Sequence, residues 1–555
     1  MNPQTQKQER EHFFGQAKLV AGVTMVSRVF GMFRDMALTA LGADRSTGAF
    51  VLAFQIPNLM RRLFGEGALS GAFVPVLTST QQNDGPASAG RLLANALGLL
   101  AVFLSVLTVL VLAGLWVWHI FWPGGWDRQL LVGLVSVMMP FVITICLLAL
   151  GSAALNCRGH FMYPAAAPIV LNIFIIAAAT LAWRFVGKEN IHGQLYVIAG
   201  SVIVAGIVQL AAVLWLLRRS GFPVLPRLRP IEPGIKPMLK LMAPVALGMG
   251  FLQISPLFDS LVIWLLSITP DEQTISILGH VFQRPLSEGA QVHVYAAQRL
   301  YQLPMGVLAI SLGVAVFPLL SRYAARGETQ NLRQSVTRAL RLSSMEGLAC
   351  GAGLWMLARP ITAVIFLRGK YTAADVDASA GVLQMYVLGM WAYCTHQILT
   401  KAFFAIKQPR VPMQVSCILM VVNMVLVLTM VWIPALGPRA FGLSTTLTAL
   451  ASVTVLIIVL RRRLGRLGGR ELLGSLLRSM CACAAMVLAI GALMQALHSF
   501  GDMAVVAVCI PAGAAVFFAV AALLRMQELG EVAGPLLRRF RRGAQQANET
   551  EIPRV

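Results

Sequence analysis

The chain has 555 residues, of which 57% are hydrophobic and 12% are charged, and its mean hydropathy is +0.73. Soluble proteins carry about 25% charged residues, so this composition excludes a soluble globular protein. The net charge of +22 would suggest nucleic-acid binding in a soluble chain. Here the arginines and lysines lie mostly in short loops between apolar stretches, so we interpret the charge as membrane topology and predict no nucleic-acid partner.

Long apolar stretches recur at the length needed to cross a bilayer as an α-helix. They predict an all-α polytopic membrane protein. The polar N-terminus lacks the features of a cleavable signal peptide, so the first helix is predicted to direct membrane insertion. In chain order, the fourteen predicted transmembrane helices cover residues 16–42, 48–80, 90–122, 129–156, 161–187, 192–220, 237–268, 285–325, 330–367, 377–407, 410–434, 438–463, 471–497 and 502–527.

Basic residues alternate between the loops as the positive-inside rule requires. The loops after the sixth, eighth, tenth and twelfth predicted helices are rich in arginine and lysine, as is the C-terminal tail. The alternate loops are poor in them, and Asp271, Glu272 and Asp502 lie there instead. This pattern predicts that both termini are cytoplasmic.

A short internal repeat divides the chain. Gln55-Ile56-Pro57 leads to Phe73-Val74-Pro75, and Gln302-Leu303-Pro304 leads to Phe317-Pro318. Both copies fall in the second helix of a six-helix block, which predicts two six-helix lobes related by a parallel repeat and followed by two further helices. The predicted domains are residues 1–220 (first lobe), 221–463 (second lobe), 464–530 (the last two helices) and 531–555 (a cytoplasmic tail).

The first two predicted helices contain charged residues, which is rare in membrane-spanning segments. They are Arg28, Arg34, Asp35, Arg61, Arg62 and Glu66. A charge at the centre of a membrane helix costs about 2.5–3.5 kcal/mol, so such residues face protein or a water-filled cavity. Because the guanidinium group binds phosphate oxygens in a bidentate manner, the pattern predicts an intramembrane cavity that holds a phosphate or diphosphate.

Two interpretations of Asp35 remain open. Asp35 could pair with Arg28 or Arg34 and only fix helix packing. However, the positive charges outnumber the negative ones once Arg299 is included, and a buried surplus of positive charge is strongly disfavoured. An anionic ligand would supply the missing charge. Arg28 and Arg34 point roughly 120° apart on an ideal helix, so a bend at Gly31 would help to direct both at one cavity.

Arg61 and Arg62 are adjacent, so their side chains point about 100° apart and are predicted to have different roles. One would face the cavity, while the other would extend to the membrane surface or pair with Glu66. The sequence does not decide which is which.

Two further positions lie in the second half of the predicted helical array. Arg299 is the only charge in its segment and is flanked by Gln298 and Gln302. Asp259 is an acid within the seventh predicted helix. It is either a cation or proton site or a partner for Arg299, and both alternatives stay open.

No pattern of catalytic or metal-binding residues is present in the sequence. The histidines have no metal-ligand spacing, and the eight cysteines are interpreted as packing residues. There is no phosphate-binding loop of the Walker type and no nucleophile–base arrangement. We therefore predict a transporter without cofactor or bound metal, and not an enzyme.

Several motifs resemble one family of transporters. These are Ser27-Arg28-Val29-Phe30-Gly31 with Arg34-Asp35, the run from Pro57 to Ala68, Ala72-Phe73-Val74-Pro75, the run from Gly151 to Asn156, Pro164 to Pro168 with Leu171-Asn172, and Arg299-Leu300 before Pro304-Met305-Gly306-Val307. Together they resemble the MurJ (MviN) family of lipid II flippases, within the multidrug/oligosaccharidyl-lipid/polysaccharide exporter superfamily. The resemblance extends from the first to about the twelfth predicted helix.

The resemblance implies a fourteen-helix inner-membrane protein that moves undecaprenyl-linked peptidoglycan precursor from the cytoplasmic to the outer leaflet. It also implies that the arginines line a central cavity and hold the diphosphate, and that the last two helices form a groove for the lipid tail. The predicted substrate-binding residues are Arg28, Arg34, Asp35, Asn58, Arg61, Arg62, Glu66, Gln298, Arg299 and Gln302.

The chain departs from the family pattern at several positions. Gln298 and Gln302 stand where relatives often carry acids, and Gly48 replaces an acid common in the second helix. Asp259 and Asn423 fit two ligands of the sodium site found in some members, but Val427 occupies the place of a further acid. A monovalent cation as coupling ion is therefore an open prediction.

The predicted function is translocation of lipid II by alternating access for cell-wall synthesis, by a monomer whose partners are the lipid-linked precursor and membrane lipids. Two alternatives are kept. One is an exporter of another polyprenyl-linked oligosaccharide or of drugs, from the same superfamily. The other is an assembly scaffold in which the buried charges only fix packing.

Overall fold

The computed structural model describes residues 3–63, 69–121, 124–222, 226–269, 272–277 and 279–530. Within these ranges the chain is helical almost throughout. Its helices are α1 (Pro3–Thr39), α2 (Arg45–Met60), α3 (Leu69–Asn83), α4 (Gly85–Phe121), α5 (Trp126–Met138), α6 (Phe141–Cys157), α7 (Met162–Phe185), α8 (Ile191–Arg219), α9 (Ile235–Leu266), α10 (Ala290–Ala325), α11 (Thr329–Met356), α12 (Ala358–Phe366), α13 (Ala373–Val387), α14 (Met390–Ala405), α15 (Arg410–Met430), α16 (Arg439–Leu464), α17 (Gly469–Ala496) and α18 (Gly501–Leu523).

The predicted helices coincide with these elements, but three of them, 129–156, 330–367 and 377–407, are each interrupted in the structure, and the expectation of uninterrupted helices was wrong there. Trp126–Cys157 still has the length and composition of one membrane span. The segment 48–80 is described only as α2, the turn at 61–63 and α3, because residues 64–68 lie outside the described residues. Pro140 separates α5 from α6, because proline lacks the N–H that a continuous helix needs. The axis bends by 71° between α11 and α12, and Leu388-Gly389 separates α13 from α14. After α2, a turn of π-helix follows at residues 61–63.

The helices have the length and composition of a membrane protein. Nine helical segments of the described residues are long and apolar enough to cross a bilayer, and the bent pair α11 and α12 would make a tenth. The number fourteen stays a prediction.

The chain forms two compact units. The first contains Met1–Ala296 and Arg368–Asp375, and the second contains Ala297–Leu367 and Val376–Val555. Helix α9 packs on α2, α3 and α4 in the first unit, although the predicted lobe boundary at residue 220 assigns it to the second lobe. The predicted lobes follow a sequence repeat and not packing, so they remain a prediction.

The first unit is centred on α2, α6 and α8. Helix α7 packs on both α1 and α8, and α2 packs on α5. Phe50, Phe73 and Phe141 are completely buried in its core. These contacts hold α1 and α2, the helices with the charged residues, against a rigid apolar core.

A buried arginine joins three helix ends in the first unit. Arg45 lies at the start of α2, and its Nε donates to Asp127 Oδ2 in the first turn of α5 at 3.0 Å. The Nη1 group of Arg45 donates to the carbonyl of Trp264 in the last turn of α9 at 2.6 Å. The guanidinium also lies 3.6 Å from the centroid of the Trp264 ring. Arg45 thus satisfies a carbonyl that the end of a helix leaves without an intrahelical partner.

The segment Arg368–Asp375, here called the strap, contains the connection after α12 and the first three residues of α13, and it packs within the first unit. The N–H of Lys370 donates to the carbonyl of Ala40 at 2.9 Å. Gly369 has φ +62°, and a Cβ there would collide with the same carbonyl. Asp375 Oδ1 lies 2.9 Å from His293 Nε2. Burial acts to raise the pKa of Asp375, but hydrogen bonds from His293 and Thr372 outweigh it and hold the pKa below its usual value.

A β-hairpin precedes α10. Its strands are β1 (Thr274–Ile277) and β2 (His280–Gln283), which pair antiparallel with Thr274 opposite Gln283. Arg284 anchors the hairpin, because its guanidinium donates to the carbonyls of Leu265 and Ser267 and pairs with Glu272.

The second unit is built around α11, which packs on α14 and α17, while α14 packs on α16. Two glycines on α11 allow this close packing. A Cβ at Gly347 would lie 2.5 Å from Trp391 Cα, and one at Gly351 would lie 2.8 Å from the carbonyl oxygen of Val387. Small residues at such positions let membrane helices approach each other closely.

Candidate functional site

Arg34 and Asp35 form a buried network at the middle of the first unit. Arg34 donates to Asp35 Oδ1 from Nε at 3.0 Å and from the Nη2 group at 2.7 Å. Their side chains are 14% and 4% exposed. Of the interpretations of Asp35 given above, the structure shows an ion pair, and it is formed with Arg34.

Two other residues complete this network, and the sequence did not indicate a role for either. Asn172 of α7 accepts a hydrogen bond from Arg34 Nη1 at 3.1 Å, and its Nδ2 donates to the carbonyl of Ser27 at 3.4 Å. Tyr295 of α10 donates to Asp35 Oδ1 at 2.6 Å. The available signals were a polar side chain in an apolar helix and, for Asn172, its place in the Leu171-Asn172 motif. The contacts themselves span 138 and 260 residues of sequence.

Arg28 differs from Arg34. Its side chain is half-buried, and it has no hydrogen bond or ion pair with any residue in the described part of the chain. Helix α1 continues through Gly31 without a break, so on ideal geometry the two arginines point roughly 120° apart. The geometry therefore distinguishes a paired arginine, Arg34, from one whose charge is not compensated by a described residue.

The motif after α2 is only partly described. Asn58 Nδ2 donates to the carbonyl of Phe54 one turn earlier at 3.0 Å. Arg61 is half-buried, whereas Arg62 is exposed. Glu66, a predicted member of the site, lies outside the described residues. The two arginines thus differ in exposure, and their different roles stay a prediction.

We expect unequal losses of the transport activity that the family resemblance implies when Arg61 and Arg62 are replaced singly. Arg61→Ala should reduce transport roughly tenfold or more below Arg62→Ala, because a charge-assisted hydrogen bond contributes about 1.5–3 kcal/mol and only Arg61 is shielded from solvent. Complementation of flippase-depleted cells at matched protein levels measures this. Equal losses would contradict the division of roles.

One position early in α2 leaves little room for a side chain. A Cβ at Gly48 would lie 3.2 Å from Gln291 Cβ. Gln291 is itself held by a hydrogen bond from its Nε2 to Ser260 Oγ at 3.1 Å. Gly48 therefore packs directly against a fixed neighbour.

Arg299 lies on α10 in the second unit and is half-buried. Gln298 Nε2 donates to the hydroxyl of Tyr386 at 3.1 Å. Gln302 is also half-buried and makes no hydrogen bond to a described residue. Tyr386 stacks on Tyr301 with ring centroids 4.8 Å apart, so Gln298 is held by an aromatic cluster.

The two candidate ion-coupling residues lie in different units. Asp259 belongs to α9 in the first unit, and Asn423 belongs to α15 in the second. Both are buried, and the Oδ1 atom of each has no hydrogen-bond partner within the described ranges. Val427 is completely buried. Among the described residues, no group of three histidine, cysteine or acidic side chains could hold a metal ion.

Comparison with known proteins places the fold. The structure superposes on "Lipid II flippase MurJ, inward closed conformation" with a TM-score of 0.71, 21% identity, and coverage of 91% of this chain and 98% of that one. It superposes on an inward-facing multidrug resistance MATE transporter of the MOP superfamily with a TM-score of 0.64, 15% identity, and coverage of 81% and 98%. The chain therefore shares the polytopic helical fold of these two proteins.

Sequence comparison identifies the family. The family model described as lipid II flippase MurJ matches residues 37–510. A probable lipid II flippase MurJ from Bdellovibrio bacteriovorus is 31% identical over 503 residues, which cover 88% of this chain and 89% of the relative. The lipid II flippase MurJ of Burkholderia cenocepacia is 29% identical over 454 residues, covering 80% and 83%. The chain belongs to the MurJ family of lipid II flippases.

Proposed function

We propose that this protein moves lipid II, the undecaprenyl-diphosphate-linked peptidoglycan precursor, from the inner to the outer leaflet of the cytoplasmic membrane. The observation that carries the proposal is the half-buried Arg28, which no described residue neutralises. Arg28, Arg34 and Asp35 lie on α1, and Arg61 and Arg62 follow the end of α2. A diphosphate has the charge and the oxygen geometry that these guanidinium groups require.

The proposed mechanism is alternating access. The arginines Arg28, Arg34 and Arg61 capture the diphosphate from the cytoplasmic side, and Arg299 contributes from α10. A change in the accessible side then lets the sugar-peptide head group leave on the outer face. This is transport and not catalysis: the precursor is moved without any bond being made or broken.

The remaining parts of the proposal follow the sequence. Both termini are cytoplasmic, and the protein acts as a monomer without a nucleic-acid partner. Helices α17 and α18, within residues 464–530, provide the groove for the lipid tail. Asp259 and Asn423 are the candidate residues for coupling to a monovalent cation, supported by the buried Oδ1 atoms for which no partner is described.

Drug exporters share this fold, so the fold does not by itself define the substrate. The charge does favour one choice. A surplus of arginines in the membrane repels organic cations and attracts a diphosphate. The arginines therefore favour an anionic lipid-linked substrate over a cationic drug.

Complementation of cells depleted of their own flippase tests the proposal. We expect the wild-type protein to restore growth, and Arg28→Ala and Arg299→Ala to abolish rescue while reaching wild-type levels in the membrane. Cells with these variants should accumulate precursor in the inner leaflet. Arg184→Ala, at an exposed arginine in the last turn of α7, is the matched control and should rescue fully.

Two results would contradict the proposal in different ways. Rescue by well-expressed Arg28→Ala and Arg299→Ala would mean that the arginines only fix packing. Failure of the wild-type protein would instead indicate another lipid-linked oligosaccharide as substrate.

A further inference from the structure

One oxygen atom of Asp35 accepts three hydrogen bonds. Arg34 Nε at 3.0 Å, the Arg34 Nη2 group at 2.7 Å and the Tyr295 hydroxyl at 2.6 Å all donate to Oδ1. A carboxylate oxygen has two lone pairs, so these donors compete for it. The Nε–Nη2 edge of Arg34 is therefore occupied, and this is the edge that a phosphate group would bind in a bidentate manner.

Arg34 is held on its other side as well. Its Nη1 group donates to Asn172 Oδ1 at 3.1 Å, and its guanidinium carbon lies 5.7 Å from the centroid of the Phe54 ring. Asn172 is buried and is fixed in turn by the carbonyl of Ser27. Loss of the contact with Asp35 would thus leave the guanidinium anchored at Nη1, with its opposite edge exposed to a ligand.

We propose that Tyr295 is a positioning residue for an exchange of partners at Arg34, an inference that rests on the proposed lipid II transport. The diphosphate first meets Arg28 and then displaces Asp35 from the Nε–Nη2 edge of Arg34. Asp35 remains buried and charged, and the hydroxyl of Tyr295 stays with it as a donor. A buried carboxylate that has lost its cation is costly unless a hydrogen bond compensates it, so Tyr295 makes the exchange less costly.

Equilibrium binding of lipid II to the full-length protein in lipid nanodiscs tests the proposal. Asp35→Asn removes the competing charge, so lipid II should bind more tightly than to wild type while flipping becomes slower because release is hindered. Tyr295→Phe removes the hydroxyl that donates to Asp35, so lipid II should bind about tenfold more weakly, which corresponds to about 1.4 kcal/mol.

The double variant separates positioning from structure. An asparagine at position 35 carries no charge that needs the tyrosine hydroxyl. Tyr295→Phe should therefore have little effect in the Asp35→Asn background, and affinity should stay at the level of the Asp35→Asn single variant. If Tyr295→Phe weakens binding equally in both backgrounds, the tyrosine has a structural role and the proposal is wrong.

The remaining outcomes are also decisive. If the Tyr295→Phe variant does not accumulate in the membrane, the Asp35→Asn variant alone tests the proposal. Lipid II that binds to Asp35→Asn as tightly as to wild type, or more weakly, would contradict the exchange of partners. If the wild-type protein does not bind lipid II at all, the proposed function itself fails, and this is recognised before any variant is compared.

Discussion

Arg45→Met will lower the stability of the first unit by about 3–5 kcal/mol, the range typical of removing one member of a buried ion pair. Asp127 would lose its cation, and the carbonyl of Trp264 at the end of α9 would lose its donor. The side chain of Arg45 is only 4% exposed, so water cannot replace these contacts. The measurement is the midpoint of thermal unfolding of the purified protein in detergent, together with its level in the membrane.

The chain offers a matched control for this prediction. Arg91 pairs with Glu232 at 3.1 Å in the same unit, but its side chain is 48% exposed. Arg91→Met should change stability by about 0–1 kcal/mol, as for other surface ion pairs. The double variant Arg45→Met with Asp127→Leu should regain part of the loss, because no buried charge is then left alone. Equal unfolding midpoints for Arg45→Met and Arg91→Met would show that Arg45 does not hold the three helix ends together.

Gly347→Ala will destabilise the packing of α11 on α14. The added Cβ would lie 2.5 Å from Trp391 Cα, 3.0 Å from its N and 3.2 Å from the Met390 carbonyl oxygen. These are backbone atoms and cannot move aside as a side chain could, and overpacking of this kind costs about 1–3 kcal/mol or more. The gain of about 1 kcal/mol in helix propensity does not offset it. Thermal unfolding and membrane level measure the effect.

Gly353→Ala, on the same helix, should have the opposite effect on stability. The nearest atom to a Cβ there is the terminal methyl of Met486 at 3.9 Å, an ordinary contact with a flexible side chain. The substitution should be neutral or stabilise by up to about 1 kcal/mol. If both alanine variants behave alike, close contact between the helices at Gly347 is not needed for stability.

The helices could be predicted from the sequence because apolar runs of membrane-spanning length are unambiguous. Their interruptions could not all be predicted. Pro140 is a visible signal for the break between α5 and α6, and Pro360, which has no N–H to donate to the carbonyl of Met356, is one for the bend between α11 and α12. The break at Leu388-Gly389 between α13 and α14 has no proline nearby. The assignment of α9 to the first unit depends on its contacts with α2, α3 and α4, which no local pattern contains.

In the candidate site, too, features of a single helix could be predicted from the sequence, whereas contacts between distant helices could not. The charged residues of α1 were identified because charge is rare within membrane helices. The sequence could not decide whether Asp35 pairs with Arg28 or Arg34, since both are within reach of its side chain. Tyr295 and Asn172 were missed because their roles depend on contacts between helices far apart in sequence.

The contact between Gly48 and Gln291 also restricts how this chain can evolve. A side chain at position 48 would meet Gln291 Cβ, which the hydrogen bond to Ser260 keeps in place. A side chain at position 48 therefore requires Gln291 to shift by a few tenths of an ångström against its hydrogen bond to Ser260. The effect of a substitution at position 48 thus depends on which residue stands at position 291.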